Sequence, residues 1–334
     1  MTGPDQVTGT RSGTPTRSLM LKLMRFVVSI GLIALLIIRL DLAEVVDHLR
    51  GLLLLPVLAG AAMQFGMIFS NALRWKLVLR AKDMHLSVGR VVYYYLMAIF
   101  FSAFLPTSIG GDVARIVAAS GETGRPADTF ASVLIDRLLG FLALLPVGLI
   151  ALPFVAGQLA DWKLTATVGV IALSVFGAMY LVLLKPVAKR LSGLLTPLFN
   201  MLGRFKVREK LEQAYDAVVG YRDCKGTILL GLAISVISRL CWVFGCHMIG
   251  RALGLNLSIA ALLLVVPVVE LVRMLPISIA GIGVREAAFV TMLGQFGVNQ
   301  SMAFAFSIVV YIVFFGFSIL GGILYGTRQF VSRS

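Results

Sequence analysis

Long apolar runs alternate with short basic ones along this chain. Apolar stretches fall at about 23–39, 52–73, 129–155, 164–184, 226–249 and 301–325. Each approaches or exceeds the roughly 20 residues that a helix needs to cross a hydrocarbon core. Two further regions, 89–120 and 259–297, are apolar but interrupted near their middles. The interruptions read LPTSIGGDVAR (105–115) and LPISIAGIGVR (275–285). Strict alternation over segments of about ten residues, which a membrane β-barrel requires, is absent from the sequence. The pattern predicts an all-α polytopic membrane protein.

Charge placement decides how the broken regions run. Nine Lys and Arg lie between Lys185 and Lys225, and Arg74, Lys76, Arg80 and Lys82 form a second cluster. Such clusters belong on the cytoplasmic side, as do Arg11, Arg17, Lys22 and Arg25 of the N-terminal segment. If 89–120 crossed fully, the 185–225 segment would land outside. A re-entrant hairpin repairs the parity. Its first arm, Val91 to Leu105, would be about 22 Å long at the helical rise, short of a core of about 30 Å. The same reasoning makes 259–297 a hairpin that opens to the outside and puts Arg328 and Arg333 in the cytoplasm.

The two interruptions also match each other. Leu105/Leu275, Pro106/Pro276, Ser108/Ser278, Ile109/Ile279, Gly111/Gly281 and Arg115/Arg285 are identical, six of eleven positions at an offset of 170. About six full transmembrane helices and two re-entrant helical hairpins then form an inverted repeat of four elements plus four, a transporter-like plan. The expected halves are 19–156 and 157–326 of one domain, 19–334. A polar tail, 1–18, precedes it and is expected to be disordered and cytoplasmic. Both termini are expected in the cytoplasm and the protein in the plasma membrane.

Composition agrees: 59% of residues are hydrophobic and 14% charged, with a mean hydropathy of +0.94. The formal net charge of +14 reflects topology; no nucleic-acid motif accompanies it. Three cysteines (224, 241, 246) give no disulfide framework, and three scattered histidines give no metal site. No cofactor is expected. Within 185–225, Val207, Leu211, Ala214, Val218 and Tyr221 are spaced as one face of an amphipathic helix, which lies either on lipid or on the protein's own loops. Residues 40–53 read as an outer interfacial helix.

Candidate chemistry rests on ionisable groups at membrane depth, where each is costly unless paired or wetted. They are Asp112, Arg115, Asp136, Arg137, Arg239, Glu270, Arg273, Arg285 and Glu286. Each is either a structural ion pair or part of a site. Asp136 and Arg137 are sequence neighbours and point apart, so they need separate partners. Glu270 and Arg273 share a helix face and can pair. Proline ends the first arm of each hairpin, and glycine permits the reversal. The second arms begin near Gly111 and Gly283, with free N–H groups that favour anions. Asp112 either caps its arm or takes part in binding.

The segments NALRWKLVL, FLPTSIGGDVAR, ASVLIDRLLGF and LPISIAGIGVREAAF resemble the signature segments of the flippase-like family. These are the transmembrane regions of lysylphosphatidylglycerol synthases and their stand-alone relatives. The resemblance spans most of 20–330. It implies a membrane module that moves, or helps supply, a lipid with a modified headgroup. Gly110, Gly111, Asp112, Arg115, Asp136, Arg137, Gly281, Gly283, Arg285 and Glu286 fall on the family's motifs, and Glu270 and Arg273 join them as candidates from their depth. No aminoacyl-transferase domain is expected after Ser334, so the resemblance does not imply aminoacylation of lipid. The expected function is a flippase or transporter, not an enzyme, for a phospholipid or a lipid-linked anionic headgroup. A separate lipid-modifying enzyme is a candidate partner. The alternatives are a membrane transferase acting on a polyprenyl-phosphate lipid and a small-anion transporter.

Overall fold

The computed structural model describes residues 42–104, 110–155, 220–273 and 281–331, with single positions at 31, 32, 34, 36, 38, 40, 157, 170, 217, 218 and 278. The tail 1–18, most of the expected helix at 23–39, nearly all of 164–184, most of the basic segment and nearly all of both hairpin tips lie outside them.

All regular structure among the described residues is helical. The elements are α1 (Leu42–Arg50), α2 (Leu54–Arg80), α3 (Val88–Phe104), α4 (Gly110–Thr123), α5 (Pro126–Leu142), α6 (Leu144–Val155), a 3-10 turn (Gly220–Asp223), α7 (Lys225–Ala252), α8 (Ile259–Arg273), α9 (Val284–Gly294) and α10 (Gln300–Val331). Among the described residues four spans are long and apolar enough to cross a bilayer: Leu54–Arg80, Pro126–Val155, Lys225–Ala252 and Gln300–Arg328. α1 occupies the place of the expected interfacial helix. The expected run at 129–155 divides at Ala143, three residues before Pro146, which has no N–H to offer the Leu142 carbonyl.

α2 and α7 form the centre and run antiparallel. Ser238 meets the Met67 carbonyl and Asn71, while Arg74 reaches Ser235. At the other end a Cβ on Gly60 would lie 3.0 Å from the Gly245 carbonyl oxygen, and one on Gly245 would lie 3.2 Å from that of Gly60. Two bare backbones let the helices touch, the usual route to tight association where lipid removes the hydrophobic drive between helices. α2 extends seven residues beyond the expected apolar run, so Arg74 and Trp75 lie inside a helix.

α3 and α4 fold back on each other. A Cβ on Gly111 would fall on the Ala98 carbonyl, and at the open end Arg90 pairs with Glu122, which also accepts from the Tyr94 hydroxyl at 2.6 Å. The arms have 17 and 14 residues, about 25 and 21 Å of helix. Their open end meets the end of α2 and the start of α5, where Arg125 donates to the Lys82 carbonyl at 2.6 Å. Arg328, near the end of α10, sits over Tyr93. Arg80, Lys82, Arg90, Arg125 and Arg328 thus gather at one end of the bundle.

α8 and α9 have 15 and 11 residues and open at the other end. There the residues before α8 (Leu255, Asn256, Leu257) and those after α9 (Phe296, Gly297, Val298) line one groove with Glu44 and His48 of α1. Leu53 donates to the Ala252 carbonyl at the same end, at 3.0 Å. α3 packs on α10, and α8 packs on α6.

The described end of the basic segment packs on protein. Ala217 and Tyr221 are buried with Val78, Ala131, Ile135 and Leu139, and Val218 packs beside them. The Tyr221 hydroxyl donates to the Val78 carbonyl at 3.1 Å. Burial pushes this phenol far above its ordinary range, so it stays a donor.

Candidate functional site

The GGDVAR stretch builds the first half of a buried polar assembly. Gly110 and Gly111 start α4 hard against α3, and Asp112 falls in the first turn, where a carboxylate is favoured. Arg115 is 2% exposed. Its guanidinium lies between the rings of Trp75 and Tyr95, at 4.9 and 4.8 Å from their centroids. It pairs with Asp112 at 3.2 Å and with Asp136 at 3.1 Å.

Asp136 is the hub. It is fully buried and accepts from Arg74 Nε at 2.7 Å, from the Tyr95 hydroxyl at 2.8 Å and from Arg115 at 3.1 Å. Arg74 continues to Ser235 at 2.9 Å, and the Trp75 indole donates to Ser132 at 3.0 Å. Arg137 turns away from Asp136 and binds Asp112 at 2.6 Å. The sequence expectation that neighbours 136 and 137 find different partners holds. The network ties α2, α3, α4, α5 and α7 together.

The second half is built differently. Glu270 and Arg273 pair at 2.8 Å along α8, as their spacing implied. Gly281 and Gly283 adopt φ of +78° and +84°, a region that side-chain-bearing residues disfavour. The Glu286 carboxylate accepts the Gly283 N–H at 2.7 Å, closing the start of α9. Arg285 pairs with its neighbour Glu286, and its guanidinium carbon lies 4.1 Å from the centre of the Tyr311 ring.

The two halves meet at Gly140. A Cβ there would lie 3.1 Å from an Arg74 nitrogen and 3.5 Å from an Arg239 nitrogen. Arg239 donates to the Gly140 carbonyl at 3.4 Å and interacts electrostatically with Glu270 and Arg273. A polar seam therefore runs from Arg137 and Asp112 through Arg115, Asp136 and Arg74 to Arg239, Glu270 and Arg285. Among the described residues six guanidiniums (Arg74, Arg115, Arg137, Arg239, Arg273, Arg285) and four carboxylates (Asp112, Asp136, Glu270, Glu286) lie along it, with Arg137 and Arg273 partly exposed. The Nε atoms of Arg115, Arg239 and Arg285 and the hydroxyl of Ser278 are buried with no hydrogen-bond partner among the described residues. No group of three His, Cys, Asp or Glu suited to a metal ion occurs among the described residues.

The sequence profile described as "Lysylphosphatidylglycerol synthase TM region" matches residues 22–322. The chain belongs to this family. A UPF0104 membrane protein of Methanothermobacter thermautotrophicus is 23% identical over 305 residues, 86% of this chain and 89% of its own length. A second UPF0104 membrane protein of that organism is 23% identical over 258 residues, 71% of this chain and 73% of its own. As a member of the lysylphosphatidylglycerol synthase transmembrane-region family, the chain is a multi-pass membrane protein, and the seam lies among its spanning helices.

Arg74, Trp75, Tyr95, Ser132 and Ser235 belong to the assembly without having been singled out in the sequence. Arg74 read as one cation of a cytoplasmic-side cluster; the structure buries it, at 3% exposure, against Asp136. A signal was present: Gln64, Asn71 and Arg74 recur on one face of an otherwise apolar run.

Proposed function

We propose that this protein moves an anionic phospholipid, or a lipid-linked anionic headgroup, across the plasma membrane through the seam between two re-entrant hairpins. The observation that carries the proposal is the set of guanidiniums buried among the helices, Arg115, Arg239 and Arg285, each with an Nε–H that has no hydrogen-bond partner among the described residues. Buried charge is costly unless compensated, and a phosphate would compensate it. The unpartnered donors of Arg239, Arg285 and Ser278 give it hydrogen-bonding positions. Glu270 and Glu286 hold the second-half arginines in place without neutralising the whole seam.

Alternating access in this reading comes from an inverted repeat. α2 and α7 begin 171 residues apart in the sequence and pack antiparallel, as equivalent elements of opposite topology do. The contact of α3 with α10 has its counterpart in that of α8 with α6. The hairpin α3–α4 opens at the basic end, which charge bias makes cytoplasmic, and α8–α9 opens at the opposite end. Arms of about 16 to 25 Å fall short of a full crossing. Rocking of the halves would expose the seam to one face and then the other. A lipid-modifying enzyme that makes the headgroup is the partner this reading calls for.

The test is reconstitution of the full chain in phosphatidylcholine vesicles with a trace of fluorophore-labelled phosphatidylglycerol, followed by external reduction of the label. The protein should speed loss of inner-leaflet label, and Arg285→Gln should slow it about tenfold, the weight of one charge-assisted hydrogen bond. A wild-type rate equal to that of protein-free vesicles would reject the proposal.

A further inference from the structure

Away from the seam, at the basic end of the bundle, a groove of about 360 Å³ lies between the start of α3 and the end of α10. Its rim is cationic. Arg328 lies over the Tyr93 ring at 4.7 Å and has no carboxylate in salt-bridge range among the described residues. Arg90 is paired with Glu122, but Glu122 also accepts from Tyr94, and the Arg90 side chain remains 46% exposed. A guanidinium has five N–H donors, so one carboxylate does not saturate it.

The wall below the rim is apolar. Leu324 lines the groove, and Leu320, Ile323 and Leu324 form an exposed ridge that continues along α10 toward the middle of the span. On a membrane helix such a ridge faces acyl chains. Gly89 leaves the floor open: a Cβ there would meet nothing within 4 Å. A cationic rim at a helix end, continuous with a lipid-facing ridge, matches a molecule with an anionic head and a hydrocarbon tail. A soluble anion would gain nothing from the ridge.

We infer that this groove is a binding site for an anionic phospholipid of the cytoplasmic leaflet. Its phosphate lies between Arg328 and Arg90, and an acyl chain follows Leu324 and Ile323. The site is separate from the seam and does not depend on transport: a lipid held here would be retained even by a protein that moved none.

Native mass spectrometry of the full chain in detergent tests it, with phosphatidylglycerol and phosphatidylcholine added in equal amounts. The wild type should retain phosphatidylglycerol preferentially. Arg328→Gln should reduce that preference about fivefold, the contribution of one cation near a lipid surface. Gly89→Leu, which fills the groove and keeps every charge, should reduce retention of phosphatidylglycerol as well. Lys82→Gln, a cation at the same end but outside the groove, should change nothing. Three results would each overturn the inference: no preference in the wild type, an equal loss in Lys82→Gln, or retention in Gly89→Leu that matches the wild type. Displacement of the lipid by equimolar inorganic phosphate would likewise overturn it in favour of a free-anion site.

Discussion

Arg115 and Arg285 occupy the same position of the LPxSI repeat, yet their surroundings differ. Arg115 is held by two carboxylates and two aromatic rings, and the carboxylate it shares, Asp136, also binds Arg74 and Tyr95. Arg285 has its own neighbour Glu286 and one ring, Tyr311. At the repeat's own offset of 170, Asp136 and Arg137 fall on Phe306 and Ser307. The first half thus has a carboxylate where the second has none. One hairpin is locked to the bundle by an ion network of several partners, and the other rests on a cation–π contact and an adjacent-residue pair. The contrast assigns rigidity to α3–α4 and makes α8–α9 the more loosely held arm.

The strongest way to break this contrast is to remove its hub. Asp136→Ala leaves Arg74 and Arg115 buried without a carboxylate between them, a change worth about 3–5 kcal/mol. Thermal unfolding in detergent should show that loss, whereas Glu270→Ala, whose partner Arg273 is 35% exposed, should lose far less. Equal losses would erase the difference between the halves. Arg115→Lys against Arg285→Lys is a finer comparison. Lysine lacks the planar fork, so the first change should lower stability by at least the 1.5–3 kcal/mol (roughly) of one charged hydrogen bond. The second should leave the unfolding temperature nearly unmoved and slow lipid transfer instead. Smallest are the tyrosines. Tyr95→Phe deletes a donor to a buried carboxylate, worth about 1.5 kcal/mol. Tyr311→Phe keeps the ring face beneath Arg285 and should alter stability by less than about 0.5 kcal/mol.

The backbone plan was legible because hydrocarbon leaves little choice. Helical crossings, and breaks confined to Pro- and Gly-containing segments, follow from the need to satisfy every peptide group. The observed arms Val88–Phe104, Gly110–Thr123, Ile259–Arg273 and Val284–Gly294 sit where the two broken regions were read. Local pairings were legible too: Glu270 with Arg273 needs only helical spacing. Asp136 with Arg74 did not follow from the sequence, since 62 residues separate them and a cation near the end of an apolar run looks alike whether it meets water or a buried carboxylate. The surface segment left two readings open. Its last apolar positions, Val218 and Tyr221, cover the protein itself, a contact that periodicity alone does not choose.

The inverted placement of the two hairpins is the claim on which the rest stands, and Gly121 and Gly294 probe it directly. Both are exposed helix positions near the open ends, and a Cβ at either meets nothing within 4 Å. With Cys224, Cys241 and Cys246 replaced by alanine, Gly121→Cys and Gly294→Cys can each be labelled with a membrane-impermeant maleimide in right-side-out and inverted vesicles. The expected result is labelling of position 121 from the cytoplasmic face only and of position 294 from the opposite face only. Labelling of both from one face would contradict the arrangement.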